Sequence, residues 1–222
     1  MLAPNDDIAV LRCDRSDHVA NLGNAATLRA HSHLEWRVKR VPNAVEPLPD
    51  GAYSIDAVHS SVLFSAVHFG ASRFYGRFNK VSGELTFDPE HPEKSTIRVE
   101  IDAASVDTND EKRDQHLSGP DFFASKEFET ITFTSESVRV AREGTDELPL
   151  QLEVAGKLDM LGKKRDVTAL VDLVGAGPGM RGSELVGFHT RFEIQRSNWG
   201  MDTMLGPLSD AVEVLISVEA NR

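Results

Sequence analysis

The chain has 222 residues, of which 40% are hydrophobic and 27% charged, and Lys+Arg 24 against Asp+Glu 35 leaves a net charge of −11. That is enough apolar material for the core of one soluble domain of barrel size. The acidic balance argues against a nucleic-acid partner, whose phosphates call for a basic field, and mainly supports solubility.

Residues 1–49 read as an N-terminal tail or weakly ordered extension. A weak helical pattern lies around Ala25–Arg40, with Leu34 and Val38 one turn apart, and Pro42, Pro47 and Pro49 close it as an extended linker. The start carries Asp6 and Asp7 where a secretory signal would be basic, and Asn21, Asn24 and Thr27 interrupt its mildest apolar stretch. No segment reaches the roughly 18 consecutive apolar residues of a membrane span. The expected compartment is therefore the cytoplasm, or the periplasm if the start is misassigned. Cys13 is the only cysteine, which excludes an internal disulfide and a thiolate zinc site. His18, His31 and His33 read as surface residues.

From Tyr53 the hydrophobic period becomes two. Val62, Phe64, Ala66 and His68 share one strand face. Leu85 and Phe87 alternate with Glu84 and Thr86, and Ile97, Val99 and Ile101 alternate with charged or hydroxyl neighbours. Ile131 and Phe133, Leu152 and Val154, Phe188 to Ile194, and Val212 to Val218 repeat the pattern, with Leu215 the exception. Such runs are strands with one apolar and one wet face. Asp88-Pro89, Glu143-Gly144 and a glycine-rich loop over Gly175 to Gly182 separate them. The fold class is all-β: an antiparallel barrel of about eight strands over residues 50–222. There is no β–α alternation and no Gly-x-Gly-x-x-Gly after a strand, so a doubly wound nucleotide-binding fold is not expected.

Residues 104–128 break the pattern. Thr108 or Asn109 suits an N-cap, Asp110 and Glu111 suit the positive end of a helix running to Leu117, and Ser118-Gly119-Pro120 ends it. Phe122 and Phe123 follow at once, so this short helix reads as a cap over one barrel end.

These residues together resemble the YceI-like family. The resemblance is carried by Tyr53-Ser-Ile-Asp56, His59-Ser60, Phe64 and His68, then by Ser105-Val106-Asp107-Thr108, Arg113-Asp114, Leu117 and Asp121-Phe122-Phe123. It continues through Phe128 to Ser135, Gly156 to Gly162, Val167-Thr168, Arg196-Ser-Asn-Trp-Gly200 and Asp210-Ala-Val212, in order and at compatible spacing. Asp159, Trp199 and the long lead without an export signal depart from the family's pattern, since many members are secreted to the periplasm. The resemblance implies a lipocalin-like barrel that binds a polyisoprenoid chain or prenylated quinone in an apolar channel, for transport or storage.

The residues permit that role. Val62, Phe64, Ala66, Phe87, Val99, Ile101, Ile131, Phe133, Phe192, Val214 and Ile216 form the candidate inner face. An eight-stranded barrel holds either packed side chains or one slender ligand, and apolar walls with few polar anchors suit the latter. Leu117, Phe122 and Phe123 would close the channel under the cap. Arg113 and Asp114 on the cap helix, and His68 at the rim, are the candidates for meeting a polar head group. No cofactor or metal site is expected, because His59 and His68 stand nine residues apart along an extended run. Catalysis is not expected either: there is no nucleophile elbow, and His59 and Ser60, as strand neighbours, point to opposite faces. Two alternatives remain. One is a hydrolase or isomerase acting on a small apolar substrate, using His59, His68 or His116 with Asp56, Asp107 or Asp114. The other is a structural or stress-related module with a filled barrel and an exposed apolar patch serving as a homodimer face.

Overall fold

The structure is a computed structural model that describes residues 51–88, 90–145 and 148–222. The expectations for the N-terminal extension, its helix over 25–40, its prolines, Cys13, His18, His31 and His33 lie outside the described residues, as does Pro89.

The chain forms β1 (Gly51–Ile55), β2 (Ser61–His68), β3 (Ser72–Phe78), β4 (Val81–Phe87), β5 (Thr96–Asp102), β6 (Val106–Asp107), helix α1 (Glu111–Leu117), β7 (Thr130–Arg142), β8 (Gln151–Met160), β9 (Lys163–Pro178), β10 (Glu184–Gln195) and β11 (Leu208–Asn221). Every named ladder is antiparallel. The first six strands are three long strands, each bent in the middle. β1 pairs with β4 while β2 pairs with β3, and β3 pairs with β6 while β4 pairs with β5. These three bent staves and the five strands β7 to β11 make a ring of eight, each stave bonded to its neighbour in sequence. The last closes on the first: β11 pairs with β2 and also with β1. The expected barrel is therefore present, as an up-and-down meander closed by β11, although β9 and β10 are bonded only over 171–178 with 184–190.

The upper end carries His68, α1 and the start of β11, and the lower end carries Gly51 and the end of β11. Inward positions follow the period of two. Val62, Phe64 and Ala66 are all buried on β2, and Val99 and Ile101 are buried on β5. Two packed clusters result. The upper one gathers Phe64, Phe78, Ile101, Leu117, Phe122 and Trp199. In the lower one Tyr53, Phe87, Leu152, Val186 and Ala220 are each no more than 1% exposed, which plugs that end.

Two local expectations are corrected. The glycine-rich loop over Gly175 to Gly182 is strand in its first half: β9 runs to Pro178, with Gly175 opposite Gly187 and Gly177 opposite Leu185, the register shifts between Gly187 and Phe188, and the turn itself is confined to 179–183. A glycine accommodates such a bulge because it has no side chain to misplace. The helix begins at Glu111, and its N-cap is Asp110, whose carboxylate accepts the Arg113 N–H at 2.9 Å. Asn109 adopts φ +61° instead, and the Thr108 hydroxyl is already committed to Asp114.

Candidate functional site

A cavity of about 180 Å³ occupies the barrel interior and is lined by residues from all eight staves and the cap. One water needs roughly 10–15 Å³ of such space, so side chains do not fill this barrel. Val62, Phe64 and Ala66 line it from β2, Val99 and Ile101 from β5, and Ile131 and Phe133 from β7. Phe192, Val214 and Ile216 complete the wall from β10 and β11, and Leu117, Phe122 and Phe123 line it from the cap segment.

Two glycines make room for the rings on this wall. Gly76 stands directly across from Phe64, and a Cβ there would come within 2.3 Å of the ring's Cζ. A Cβ on Gly156 would lie 2.9 Å from Phe133 Cζ and 2.2 Å from the Thr134 carbonyl oxygen. Each ring thus leans over a neighbouring strand that has no side chain at that point. At the upper end the Phe123 ring meets Phe78 edge-on at 5.2 Å and Phe64 at 6.3 Å.

Four predicted residues are not brought to the cavity. Phe87 is buried below it, edge-on to Phe188 at 5.4 Å, because its stave has by then reached the lower plug. His68 is exposed where β2 leaves the barrel, with its ring edge-on to Phe69. Arg113 and Asp114 both turn to Thr108, a buried residue at the stalk of the cap. Arg113 Nε donates to Thr108 Oγ1 and Nη2 to the Thr108 carbonyl, each at 2.7 Å, while its guanidinium lies 5.3 Å from the Phe74 ring centre. Asp114 Oδ1 accepts from Thr108 N at 2.8 Å and from the Thr108 hydroxyl. The pair therefore fastens the cap.

The cation that does reach the lining is Arg196, 2% exposed. Its guanidinium donates to the carbonyls of Ser209 at 2.9 Å, Thr203 at 2.8 Å, Leu208 at 3.2 Å and Met201, and it lies 5.9 Å from the Phe122 ring centre. Burial pulls its pKa down from the usual arginine value, and the charges of Asp210 and Asp202 act the other way. Next to it, Trp199 Nε1 donates to the Leu158 carbonyl at 3.2 Å, and Asp210 accepts from Ser197 N and Oγ. The run Arg196-Ser-Asn-Trp-Gly200 was a legible sequence signal for this corner, but alternation alone gave Arg196 no inward direction. The other polar side chains on the lining are His189 and Thr190, and the Thr190 hydroxyl donates to the Leu170 carbonyl at 2.7 Å. Arg196 and Thr190 are thus bound to backbone, and the surface offered to a ligand is almost wholly hydrocarbon.

A polar group also sits at the kink between β1 and β2. His59 Nδ1 lies 3.0 Å from Asp56 Oδ2 and 3.6 Å from Glu219 Oε1, and ligand atoms of these three side chains all fall within 4.8 Å of one another. The Asp56 hydrogen bond and the Asp56 and Glu219 charges raise the His59 pKa, and the same hydrogen bond lowers that of Asp56. Ser60, beside it, donates to the Glu219 carbonyl at 3.2 Å and accepts from Glu219 N at 3.1 Å. The group ties the bent first stave to β11, outside the cavity.

Comparison with known proteins agrees with this architecture. A sequence model of the YceI-like domain matches residues 53–220. The chain is 36% identical over 169 residues to Protein YceI of Escherichia coli O17:K52:H18, spanning 75% of this chain and 85% of that protein. Protein YceI of Salmonella arizonae is 37% identical over the same length. Among solved structures, Burkholderia cenocepacia BcnA superposes with a TM-score of 0.65 at 25% identity, covering 74% of this chain and 98% of that one. The Campylobacter jejuni YceI protein gives 0.58 at 32% identity, covering 66% and 84%. A polyisoprenoid binding domain from Saccharophagus degradans gives 0.57 at 16% identity, covering 76% and 97%, a likeness of fold.

Proposed function

The chain belongs to the YceI-like family, and from that membership we propose that its barrel binds a long, slender isoprenoid lipid, a polyisoprenoid or prenylated quinone, for transport or storage. The observation that carries this reading is the interior cavity, walled by hydrocarbon from all eight staves, with Arg196 and Thr190 tied to backbone carbonyls. The name of the Saccharophagus degradans domain, which shares the fold, points to the same ligand class. Each buried CH₂ contributes about 0.8 kcal/mol. A few prenyl units thus offset an association cost of about 4–15 kcal/mol. Such a wall reads length and slenderness and is nearly indifferent to the head group. A non-catalytic role without a resident cofactor is supported by the exposure of His59, His68 and His116, none of which lines the cavity, which leaves half-buried His189 as the single described histidine on the wall.

The test is native mass spectrometry of the protein purified gently from its own host. An apolar adduct of prenyl-lipid mass is expected, and it should be lost from a Phe133→Glu variant that keeps its far-ultraviolet spectrum. Protein that arrives empty and fails to take up added polyprenol would overturn the reading.

A further inference from the structure

We propose that one arc of the upper rim docks on the surface of a lipid bilayer carrying anionic head groups, so that ligand passes between membrane and cavity without crossing water. The proposal rests on the lipid-binding reading for its purpose, but it stands on separate residues.

The lower end is plugged by side chains with almost no exposure, whereas the cavity lining reaches Leu117, Phe122 and Leu208 at the upper end. Ligand traffic therefore belongs to the upper rim. Half of that rim is the cap. The other half is three loops side by side: 69–71, 161–165 and 196–207. Phe69 N donates to the Pro207 carbonyl at 2.6 Å, Arg165 Nε donates to the Asn198 carbonyl at 3.0 Å, and Lys163 Nζ lies against Gly200.

This arc displays what a globular surface normally hides. Phe69 is 67% exposed, and Met204 and Leu205 are 43% exposed each. Phe69 and Met204 also stand at φ +50° and +57°, a region that disfavours large side chains. Nothing in the fold needs a large apolar group at either tip, since a glycine or asparagine would make the turn at lower cost. Beside them stand Lys163, Lys164 and Arg165, all exposed. Across the three loops Asp202 is the one exposed acid. Lys164 pairs with Asp159 at 3.9 Å and exposed Asp166 pairs with Lys157, so Lys163 and Arg165 supply the remaining positive charge of this arc in a chain of net charge −11. Apolar tips ringed by bases match the acyl boundary and phosphates of an anionic leaflet. No helix among the described residues is long and apolar enough to cross a membrane.

The experiment is co-sedimentation of the full chain with phosphatidylcholine vesicles, with and without phosphatidylglycerol. Binding to the phosphatidylglycerol vesicles is expected, weakening as salt is added. The triple variant Phe69→Ser, Met204→Ser, Leu205→Ser should bind roughly tenfold more weakly or worse, and so should Lys163→Glu with Lys164→Glu. Met180→Ser, 86% exposed at the lower end, should bind as the parent does. The proposal fails if neither vesicle is bound, if the rim variants bind like the parent, or if sedimentation velocity shows instead a dimer that these variants dissolve. Native mass spectra on the same preparations separate the two readings. Lipid retained without vesicle binding sinks only the docking surface, and rim-dependent vesicle binding by a protein that never carries lipid sinks only the ligand reading.

Discussion

Gly76 and Phe64 show how finely the wall is set at single positions. The Phe64 ring occupies the space that any side chain at 76 would take, and Thr108 Cγ2 closes the same space from the other side, 2.8 Å from where the Cβ would be. Gly76→Ala must therefore push the ring inward, into the cavity. Overpacking of this kind costs about 1–3 kcal/mol. The expected result is a lowered denaturant midpoint together with weaker uptake of a fluorescent polyene lipid, measured on the same variant. Little of this was legible beforehand. The period of two announces that Phe64 faces inward, but it carries no information about which neighbour lacks a side chain across the ladder. Arg196 shows the same limit, because its direction is set by four carbonyls of a loop that closes only when β11 is in place.

At the scale of elements, the cap is held at its stalk. Asp114 and Arg113 converge on Thr108, Asp110 caps the seven-residue helix α1, and Phe122 and Phe123 rest on the upper cluster. Asp114→Ala removes the carboxylate oxygen that accepts both the N–H and the hydroxyl hydrogen of buried Thr108, so these two donors lose their acceptor. Leaving such a group unpaired costs about 1–3 kcal/mol. Hydrogen exchange in 109–125 should speed up markedly while exchange in β8 stays unchanged. Equal acceleration in both would mean that the cap is not a separate unit. The cap and its two aromatics were readable from composition and helix signals. The roles of Arg113 and Asp114 were not, because two adjacent charges on a short helix do not reveal that both fold back on the residue before it.

At the scale of the molecule, acid should loosen the fold. Hydrogen bonds from His59 to Asp56, Lys80 to Asp102, Asn79 to Asp107 and Ser197 to Asp210 each hold a carboxylate below its ordinary value. A group lowered on folding stabilises above its unfolded pKa and loses that contribution as pH falls through its folded value. His59, raised on folding, contributes below its unfolded pKa and is lost as pH rises through its folded one. The melting temperature should be highest between these ranges and fall below about pH 4. Asp210→Asn should flatten part of the acid limb in a thermal scan. The barrel itself was the most legible feature, since alternation repeated over eight staves admits few other architectures. The merging of six short strands into three bent staves was hidden, because the bends near Asp56 and Asn79 look like ordinary turns in the sequence.

The ring of eight has one seam unlike the others. Seven join staves that follow each other along the chain, but the closure of β11 on β1 and β2 joins residues as far apart as Ser60 and Glu219, 159 positions away. Hairpin seams form in roughly 1–10 μs, whereas a contact of that span waits for the whole meander. Closure is then the last event of folding and the first of unfolding. Val62→Ala, on the seam opposite Ile216, should raise the unfolding rate and leave the folding rate nearly unchanged in a chevron, while Val154→Ala, inside β8, should slow folding. The barrel then parts first where β11 meets β1 and β2, beside Val62, Phe64 and Ala66 on the cavity wall.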